Sequence, residues 1–435
     1  MSFYSREIPY LTDAANYYAV LADLPWSAWL DSCGMGRYDI VTASPHHTVE
    51  LKDASWHTLL RAELGERITP VDNVPFAGGA LGYWRYDHPP APDSQSDCDA
   101  LLCAGIYDWA LVLDHQEHTA RLVSHLRYPE TAQLLQHIAQ RLQSGAAMPD
   151  NTFRVHGKIS CNFTKTGYAA AFAAVQDYLQ AGDCYQVNLA QRFSAQASGD
   201  GLGAYLALRS MNPAPYSAFL NFPRAQILCA SPERFISVFN GLVETKPIKG
   251  TRPRNSDAAR DAQLAEELRQ HPKDRAENLM IVDLLRNDLG KNCQAGSVHV
   301  PKLFEVESYA HVHHLVSTVQ GKLASGRDAL NVLDGCFPGG SITGAPKLRA
   351  MQIIEQLEPD HRDLYCGSIA YIGFDGNMDS NIVIRTLLYS KGEIRCWAGG
   401  GLIADSLCDE EYQETFDKAR AMLELLMQYG GEPDY

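Results

Sequence analysis

Strand-like and helix-like segments alternate along the whole chain, and this alternation limits the fold class. Runs rich in β-branched and aromatic residues predict strands, whereas apolar residues repeating every three or four positions predict helices. The predicted strands are residues 105–113, 120–125, 184–193, 217–222, 227–230, 234–239, 367–374, 381–389 and 393–398. The predicted helices are residues 134–142, 165–181, 258–271, 273–289 and 410–429. Both halves mix the two element types, so we expect an α+β or mixed α/β fold, in a sheet order that the pattern does not give.

Two polar segments divide the predicted elements. Residues 87–99 are rich in Pro, Ser and Asp and predict a loop, and residues 144–157 combine Gly, Pro and Asn without an apolar period. A chain of 435 residues is long for one simple core. We therefore expect an N-terminal region over residues 1–150 and a second region over residues 151–435.

The amino-acid composition argues against some classes of binding partner. The net charge of −15 argues against nucleic acid, since phosphate binding needs a basic face. No apolar run reaches the roughly 18 residues that span a membrane, and the first residues lack a signal-peptide pattern. The eleven cysteines are odd in number and show no Cys-x-x-Cys spacing, as expected for reduced thiols. We expect a cytoplasmic enzyme without a nucleic acid or membrane partner.

Lys249 is the strongest single candidate for a catalytic residue. It follows a predicted strand, in a turn that Pro247 and Gly250 restrict. A lysine held and desolvated in this way can act as a nucleophile. On these residues alone, an ordinary surface lysine is the more common interpretation.

Two helices carry carboxylates at helical spacing. Glu411, Glu414 and Lys418 share one stripe of the last predicted helix, and Asp274 and Glu277 are three positions apart on an earlier one. Mg²⁺ prefers oxygen ligands of this kind together with water and an anionic substrate group. For Glu411 and Glu414, the alternative is a solvated rim beside the core face of the last helix. For Asp274 and Glu277, the alternative is the preference for acids near a helix N-terminus that the helix dipole creates.

Glycine-rich turns and isolated polar residues complete the candidates. Residues 338–347 and 398–402 can present backbone N–H groups to an anion or let a ligand approach, although each is also a plausible tight turn. Arg385 lies within the apolar run 382–388, where its guanidinium is either solvated or reserved for a carboxylate. Pattern alone gives Glu233 no catalytic role, and for His314 an ordinary core or surface histidine is the more common interpretation.

Taken together, these motifs resemble the chorismate-utilising enzymes, which include anthranilate, aminodeoxychorismate, isochorismate and salicylate synthases. The resemblance covers nearly the whole chain and is strongest from residue 166 to residue 418. It rests on four ordered motifs: residues 275–284 (RAENLMIVDL), 312–317 (VHHLVS), 339–347 (GGSITGAPK) and 412–418 (YQETFDK). It implies a fold of large antiparallel β-sheets packed as a sandwich with flanking helices.

The resemblance also implies a metal site. Glu277 and Glu414 would bind Mg²⁺ together with the ring carboxylate of chorismate. Asp274 and Glu411 would support the ion indirectly or through water.

The resemblance implies the following substrate contacts and catalytic roles. Gly399 and Gly401 would donate backbone N–H groups to the ring carboxylate, close to Lys418. Tyr365 and Arg385 would bind the enolpyruvyl carboxylate, and His314 and Ser341 would contact the ring. Glu233 would be the acid and base, and Lys249 the nucleophile.

Two positions distinguish branches of the family. Isochorismate and salicylate synthases carry a water-activating lysine where this chain has Gln186. Anthranilate synthases typically carry alanine at the position of Lys249, whereas lysine there is typical of aminodeoxychorismate synthases, component I of which the chain resembles most. The resemblance therefore implies amination of chorismate at C4, through a covalent Lys249 adduct, on the route to 4-aminobenzoate and folate.

The implied partner is a separate glutaminase subunit that supplies ammonia as part of a heterodimer, because no glutaminase signature is present in the chain. The resemblance also suggests a tryptophan pocket between the region 1–150, which resembles anthranilate synthase component I, and a later loop. Its candidate residues are Ser32, Pro213 and Tyr216. The alternative functions are anthranilate synthase component I and an inactive homologue that only binds a glutaminase.

Overall fold

The fold is described here from a computed structural model, which covers residues 3–52, 55–86, 100–309 and 312–435. The predicted loop at residues 87–99 lies outside these described residues. None of the described helices combines the length and the apolar character needed to cross a membrane.

Ten α-helices occur within the described ranges. They are α1 (Ala15–Leu21), α2 (Trp56–Leu64), α3 (Thr131–Ser144), α4 (Lys165–Gln180), α5 (Leu202–Met211), α6 (Ala258–Gln270), α7 (Pro272–Gly290), α8 (Ala329–Cys336), α9 (Lys347–Leu357) and α10 (Cys408–Gln428). Side chains cap several of them: the Thr164 hydroxyl accepts from Gly167 N at the start of α4, and Asp257 accepts from Arg260 N at the start of α6. All five predicted helices are therefore confirmed, with ends that differ by a few residues.

Twenty-three strands occur within the same ranges. They are β1 (Tyr4–Ile8), β2 (Ser27–Asp31), β3 (Tyr38–Thr42), β4 (His47–Leu51), β5 (Gly79–Trp84), β6 (Leu102–Tyr107), β7 (Ala110–Asp114), β8 (Thr119–Ser124), β9 (Arg154–Cys161), β10 (Gln186–Ser198), β11 (Tyr216–Phe222), β12 (Ala225–Ser231), β13 (Arg234–Phe239), β14 (Leu242–Thr245), β15 (Ile248–Pro253), β16 (His299–Ser308), β17 (Val312–Lys322), β18 (Gly344–Ala345), β19 (Ser368–Gly373), β20 (Met378–Asn381), β21 (Thr386–Ser390), β22 (Glu393–Leu402) and β23 (Glu432–Asp434).

The strands form two large sheets. The first has the order β1-β8-β7-β3-β2-β11-β12-β21-β22-β10-β9-β23, with β18 paired to β10. The second has the order β15-β17-β14-β13-β20-β19-β5-β6-β4, with β16 paired to β17. Each sheet takes strands from both sides of residue 150. Neighbouring strands pair antiparallel, except that β23 runs parallel to β9.

The main core lies between the two sheets, as in a sandwich. Ala28 and Ile40 from the first sheet share it with Ile236 and Ile369 from the second. A second core covers the other face of the first sheet, where residues such as Leu208 of α5 and Leu426 of α10 are fully buried. Burying one such side chain contributes about 1.5–3 kcal/mol. The predicted α+β sandwich with flanking helices is confirmed.

The predicted strand 105–113 is wrong, because it is two strands. β6 belongs to the second sheet and β7 to the first, and the chain crosses between the sheets at Asp108 and Trp109. The Asp108 carboxylate fixes this crossing by accepting from Tyr128 N at 2.9 Å and from Thr131 Oγ1 at 2.6 Å.

Two further predictions at functional positions are corrected. Arg385 is not in mid-strand: it has φ of 51° and precedes β21, so the run 381–389 is broken between β20 and β21. Lys249 is not in a turn but in β15, which pairs with β17.

Candidate active site

One cavity of about 660 Å³ brings together the residues that are predicted for catalysis, substrate binding and metal binding. It lies where β15, β17 and β22 approach the helices α7 and α10. The thirteen predicted residues that line it are Glu233, Lys249, Asp274, Glu277, His314, Ser341, Tyr365, Arg385, Gly399, Gly401, Glu411, Glu414 and Lys418. These residues come from widely separated parts of the chain, and the fold places all of them on one surface.

Lys249 reaches the cavity from an irregular part of β15. The pairing with β17 shifts between Ile248 and Thr251, which is the pattern of a β-bulge. Gly250 in this bulge has φ of 82°, and a Cβ there would lie 2.8 Å from Asp274 Cγ. Only glycine suits this backbone, because a side chain would be strained and would collide with α7. The bulge therefore brings the strand that carries Lys249 close to the helix that carries Asp274 and Glu277.

Ser341 connects Lys249 with Glu233. Its hydroxyl donates to Glu233 Oε1 at 2.9 Å, and its carbonyl oxygen accepts from Lys249 Nζ at 3.4 Å. Glu233 is buried, and this burial raises the pKa of its carboxyl group, although the nearby Lys249 opposes the effect. A buried carboxyl with a raised pKa beside an amine is suited to proton transfer.

The acidic residues of α10 converge over the backbone of β22. A Cβ on Gly400 would lie 2.9 Å from Glu411 Oε2 and 3.4 Å from Glu414 Oε1, so the missing side chain leaves room for both carboxylates. Glu411 accepts from Ser406 Oγ at 2.6 Å, and burial raises the pKa of its carboxyl group. Glu414 pairs with Lys418 Nζ at 2.6 Å, and the same ammonium donates to Gly399 O at 2.9 Å.

The acids of α7 complete the oxygen donors of the cavity. Asp274 is held by Arg252 Nη2 and by His271 Nδ1, each 3.0 Å from Asp274 Oδ2. Glu277 also lines the cavity and makes no ion pair with any described residue.

These carboxylates fit Mg²⁺ as one or two ligands rather than as a complete cage. Among the described residues, no three His, Cys, Asp or Glu side chains lie close enough together to hold a metal ion by themselves. Mg²⁺ is commonly held by one or two carboxylates plus water and an anionic substrate group. Glu277 and Glu414 can therefore hold the ion only if other oxygen donors complete its shell.

Arg385 provides a positive charge at another part of the wall. No described carboxylate lies within ion-pair distance of its guanidinium, and burial lowers the pKa of Arg385. An arginine stays charged at physiological pH, so this group is available to a carboxylate of a ligand. His314 lies nearby, and its Nδ1 atom shares a hydrogen bond of 2.9 Å with Thr251 Oγ1. Burial and then Arg385 lower the pKa of His314 to about 4, so its ring is neutral at physiological pH.

The structure adds lining residues that the sequence predictions missed. Asn188, Arg252, Lys273 and Trp397 all face the same cavity. Trp397 could have been found from strand alternation, because it lies two positions before Gly399 on β22 and therefore on the same face. No comparable signal marks Asn188 or Lys273.

A second cavity, of about 400 Å³, contains part of the predicted tryptophan set. Ser32 and Tyr216 line it, whereas Pro213 does not; Pro215 does instead. Asp31 also borders it, in an ion pair with Arg209 at 2.5 Å.

The chain is similar to several known proteins. The profile of a family described as "chorismate binding enzyme" matches residues 20–424. The chain is 45% identical to aminodeoxychorismate synthase component 1 of Escherichia coli (strain K12), over 95% of this chain and 96% of that protein. It is 37% identical to anthranilate synthase component 1 of Thermus thermophilus, over 95% and 94% of the two chains. The crystal structure of anthranilate synthase component I from Streptococcus pneumoniae is similar with a TM-score of 0.79 and 31% identity, over 89% of this chain and 92% of that one.

Proposed function

Because this chain belongs to the family of chorismate-binding enzymes, we propose that it aminates chorismate at C4. The product would be 4-amino-4-deoxychorismate, on the route to 4-aminobenzoate and folate. One observation carries the proposal: Lys249 faces the large cavity and is joined through Ser341 to the buried carboxyl of Glu233. The name of the Escherichia coli relative supports this branch of the family.

Binding comes first. Chorismate carries two carboxylates, and the cavity offers separate positive groups for them. Arg385, beside Tyr365, receives the enolpyruvyl carboxylate, while the backbone of Gly399 and Gly401 and the ammonium of Lys418 serve the ring carboxylate. In this orientation C2 of the ring faces Lys249 and the C4 hydroxyl faces Glu233.

Lys249 then acts as the nucleophile. Its neutral amine forms a bond to C2 of the ring, both ring double bonds shift (C1=C2 to C1=C6 and C5=C6 to C4=C5), and the C4–O bond breaks. Glu233 gives its proton to the departing hydroxyl, which leaves as water. The result is a covalent adduct between Lys249 and the ring.

Ammonia completes the reaction. It forms a bond to C4, both double bonds return to their first positions, and the C2–N bond to Lys249 breaks. The Glu233 carboxylate takes one proton from the attacking ammonia and becomes an acid again, and the lysine is released as a free amine. Two displacements of this kind return the substituent to C4 with the original stereochemistry.

Mg²⁺, when held by Glu277 and Glu414, would supply charge neutralisation for the carboxylate that it binds. Asp274, fixed by Arg252 and His271, and Glu411, fixed by Ser406, would orient the water around that site.

We also propose that the chain works with a glutaminase subunit. The relatives are called component 1, which implies a second component. The free chain should then use ammonium salts but not glutamine, and a glutaminase subunit should confer glutamine-dependent activity.

Product analysis tests the proposal. Purified protein would be incubated with chorismate, Mg²⁺ and an ammonium salt, and the products identified by mass spectrometry. We expect an amine that retains the enolpyruvyl group and that a lyase converts to 4-aminobenzoate. Anthranilate with pyruvate would assign the chain to the alternative activity of the Thermus thermophilus relative. No product at all would favour an inactive homologue.

The second cavity supports a separate proposal, that the chain binds tryptophan between Ser32 and Tyr216. Equilibrium dialysis with labelled tryptophan tests it. We expect saturable binding, and the absence of binding would exclude the proposal.

A further inference from the structure

Trp397 presents a buried hydrogen-bond donor that the proposed mechanism does not use. The residue is 4% exposed, and its Nε1 atom is shielded from solvent without a hydrogen-bond partner among the described residues. A buried N–H group without an acceptor destabilises the folded protein. Such a group calls for an explanation, and one explanation is an acceptor that arrives with a ligand.

The position of Trp397 favours that explanation. It lines the large cavity, and it is the only one of the six tryptophans that does so; all six lie in the described ranges. Its ring is nearly parallel to that of Tyr365, with an interplanar angle of 7° and centroids 6.3 Å apart. Trp397 and Tyr365 are therefore neighbours in the wall of the cavity.

Arg385 also lines the cavity, and it precedes the strand that pairs with the strand of Trp397. The pairing of β21 with β22 ends at Leu387 and Cys396, and the next residues along the two strands are Thr386 and Trp397. Arg385 directly precedes Thr386, and its positive φ turns the backbone away from the direction of the strand. Tyr365, Arg385 and Trp397 all line the cavity, and a carboxylate bound there can accept from several such donors at once.

We propose that the Trp397 indole N–H donates a hydrogen bond to the substrate carboxylate that Arg385 and Tyr365 bind. This inference rests on the proposed function, since it takes chorismate as the ligand and the enolpyruvyl carboxylate as the acceptor. Trp397 is then a substrate-binding and specificity-determining residue that does not take part in proton or electron transfer.

The test replaces the indole by a ring without the donor. Trp397→Phe should raise KM for chorismate about 10- to 100-fold, because a hydrogen bond to a charged acceptor is lost, while kcat changes less than about threefold. Trp84→Phe is the matched control, because Trp84 Nε1 is also buried without a partner but lies outside this cavity. The control should leave KM unchanged.

A modified ligand identifies the acceptor. An analogue of chorismate whose side chain lacks the carboxylate should inhibit the wild type and Trp397→Phe with similar Ki, within about twofold. If Trp397→Phe instead weakens this analogue as much as chorismate, the indole does not contact the carboxylate and the proposal is overturned.

The outcomes separate the two proposals. An active wild type with unchanged KM in Trp397→Phe overturns only the role of Trp397. A wild type that makes no product from chorismate overturns the proposed function and this inference with it.

If Trp397→Phe does not fold, ¹H–¹⁵N spectra of the unmodified protein decide. One indole N–H signal should move downfield when chorismate and Mg²⁺ saturate the protein, and the failure of all six signals to move would overturn the proposal.

Discussion

Lys249 and Glu233 need opposite protonation states in the proposed reaction. The amine must lose its proton before it attacks, whereas the carboxyl must keep one for the leaving hydroxyl. Ser341 contacts both groups: its hydroxyl donates a hydrogen bond to Glu233, and its carbonyl oxygen accepts one from Lys249. Because burial raises the pKa of Glu233, the carboxyl retains its proton to higher pH than an exposed glutamate does.

Lys249→Ala should abolish the covalent adduct, because alanine has no nucleophile. Intact-mass spectrometry after rapid quenching with chorismate and Mg²⁺ would detect the adduct in the wild type and in Lys246→Ala but not in Lys249→Ala. Lys246→Ala is the matched control, since Lys246 pairs with Glu307 at 3.2 Å and lies outside the cavity. Amination at the wild-type rate in Lys249→Ala would contradict nucleophilic catalysis.

Glu233→Gln should lower kcat by a factor of about 10²–10⁴, because glutamine cannot protonate the leaving hydroxyl. KM should change little. The sign of the pH effect follows from the raised pKa: only the protonated carboxyl is an acid, so kcat of the wild type should fall as pH rises through that pKa. The kcat profile of Glu233→Gln should lack this fall. A wild-type profile in the variant would remove Glu233 from the mechanism.

At the scale of elements, the site depends on how two helices face two strands. α7 and α10 carry the acids, while β15 and β22 carry the lysine and the glycines. Gly250 and Gly400 bring each strand close to its helix, since a Cβ at either position would meet a carboxylate side chain within 3 Å. The carboxylates and the nucleophile can therefore share one cavity.

Glu277→Gln should weaken the dependence on Mg²⁺, because an amide is a poorer ligand than a carboxylate for this ion. The concentration of Mg²⁺ that gives half-maximal activity should rise by about tenfold or more, as expected when a metal ligand is impaired. Asp283→Asn on the same helix is the control, since Asp283 is exposed and pairs with Arg286. Identical Mg²⁺ titrations for Glu277→Gln and the wild type would exclude Glu277 as a ligand.

A buried ion pair joins α7 and α9 beside the Ser341 segment. Asp288 is 2% exposed, and its Oδ2 accepts from Lys347 Nζ at 2.6 Å. Lys347→Met should lower the free energy of unfolding by about 3 kcal/mol, because it removes one partner of a buried charge. Lys291 also pairs with Asp288, but its side chain is 51% exposed, so Lys291→Met should cost less than about 1 kcal/mol. Urea unfolding measures both, and equal losses would contradict this assignment.

The sequence predicts the elements better than it predicts their arrangement. Helices such as α6 and α7 follow from apolar periodicity and caps, which are local signals. The crossing at Asp108 and the break at Arg385 depend on tertiary packing and a positive φ, which periodicity does not encode. The cavity residues were named from family motifs, and their convergence follows from a strand order that no local pattern contains. Trp397 was missed because an aromatic residue in a strand is usually core.

At the scale of the whole molecule, the two predicted regions are interleaved. β1–β8 precede residue 150, and they contribute to both sheets and to the core between them. Two strands of the later part pair directly with this part: β11 with β2, and β19 with β5. The later part therefore depends on β1–β8 to complete both sheets.

A fragment of residues 151–435 should not reach the native fold, because losing β1–β8 exposes one side of the main core. Near-UV circular dichroism should show no fixed aromatic environment, whereas the full chain should unfold in one cooperative transition. A fragment that folds and binds chorismate would show that residues 151–435 form an independent domain.

The last strand also has a practical consequence for work with this protein. β23 covers the edge of the larger sheet by running parallel to β9, from Glu432 beside Lys158 to Asp434 beside Ser160. An uncovered strand edge is a template for pairing with other chains. Truncation after Tyr429 would uncover β9 and promote self-association and aggregation. A purification tag is therefore better placed at the N-terminus, where it leaves this protective strand undisturbed.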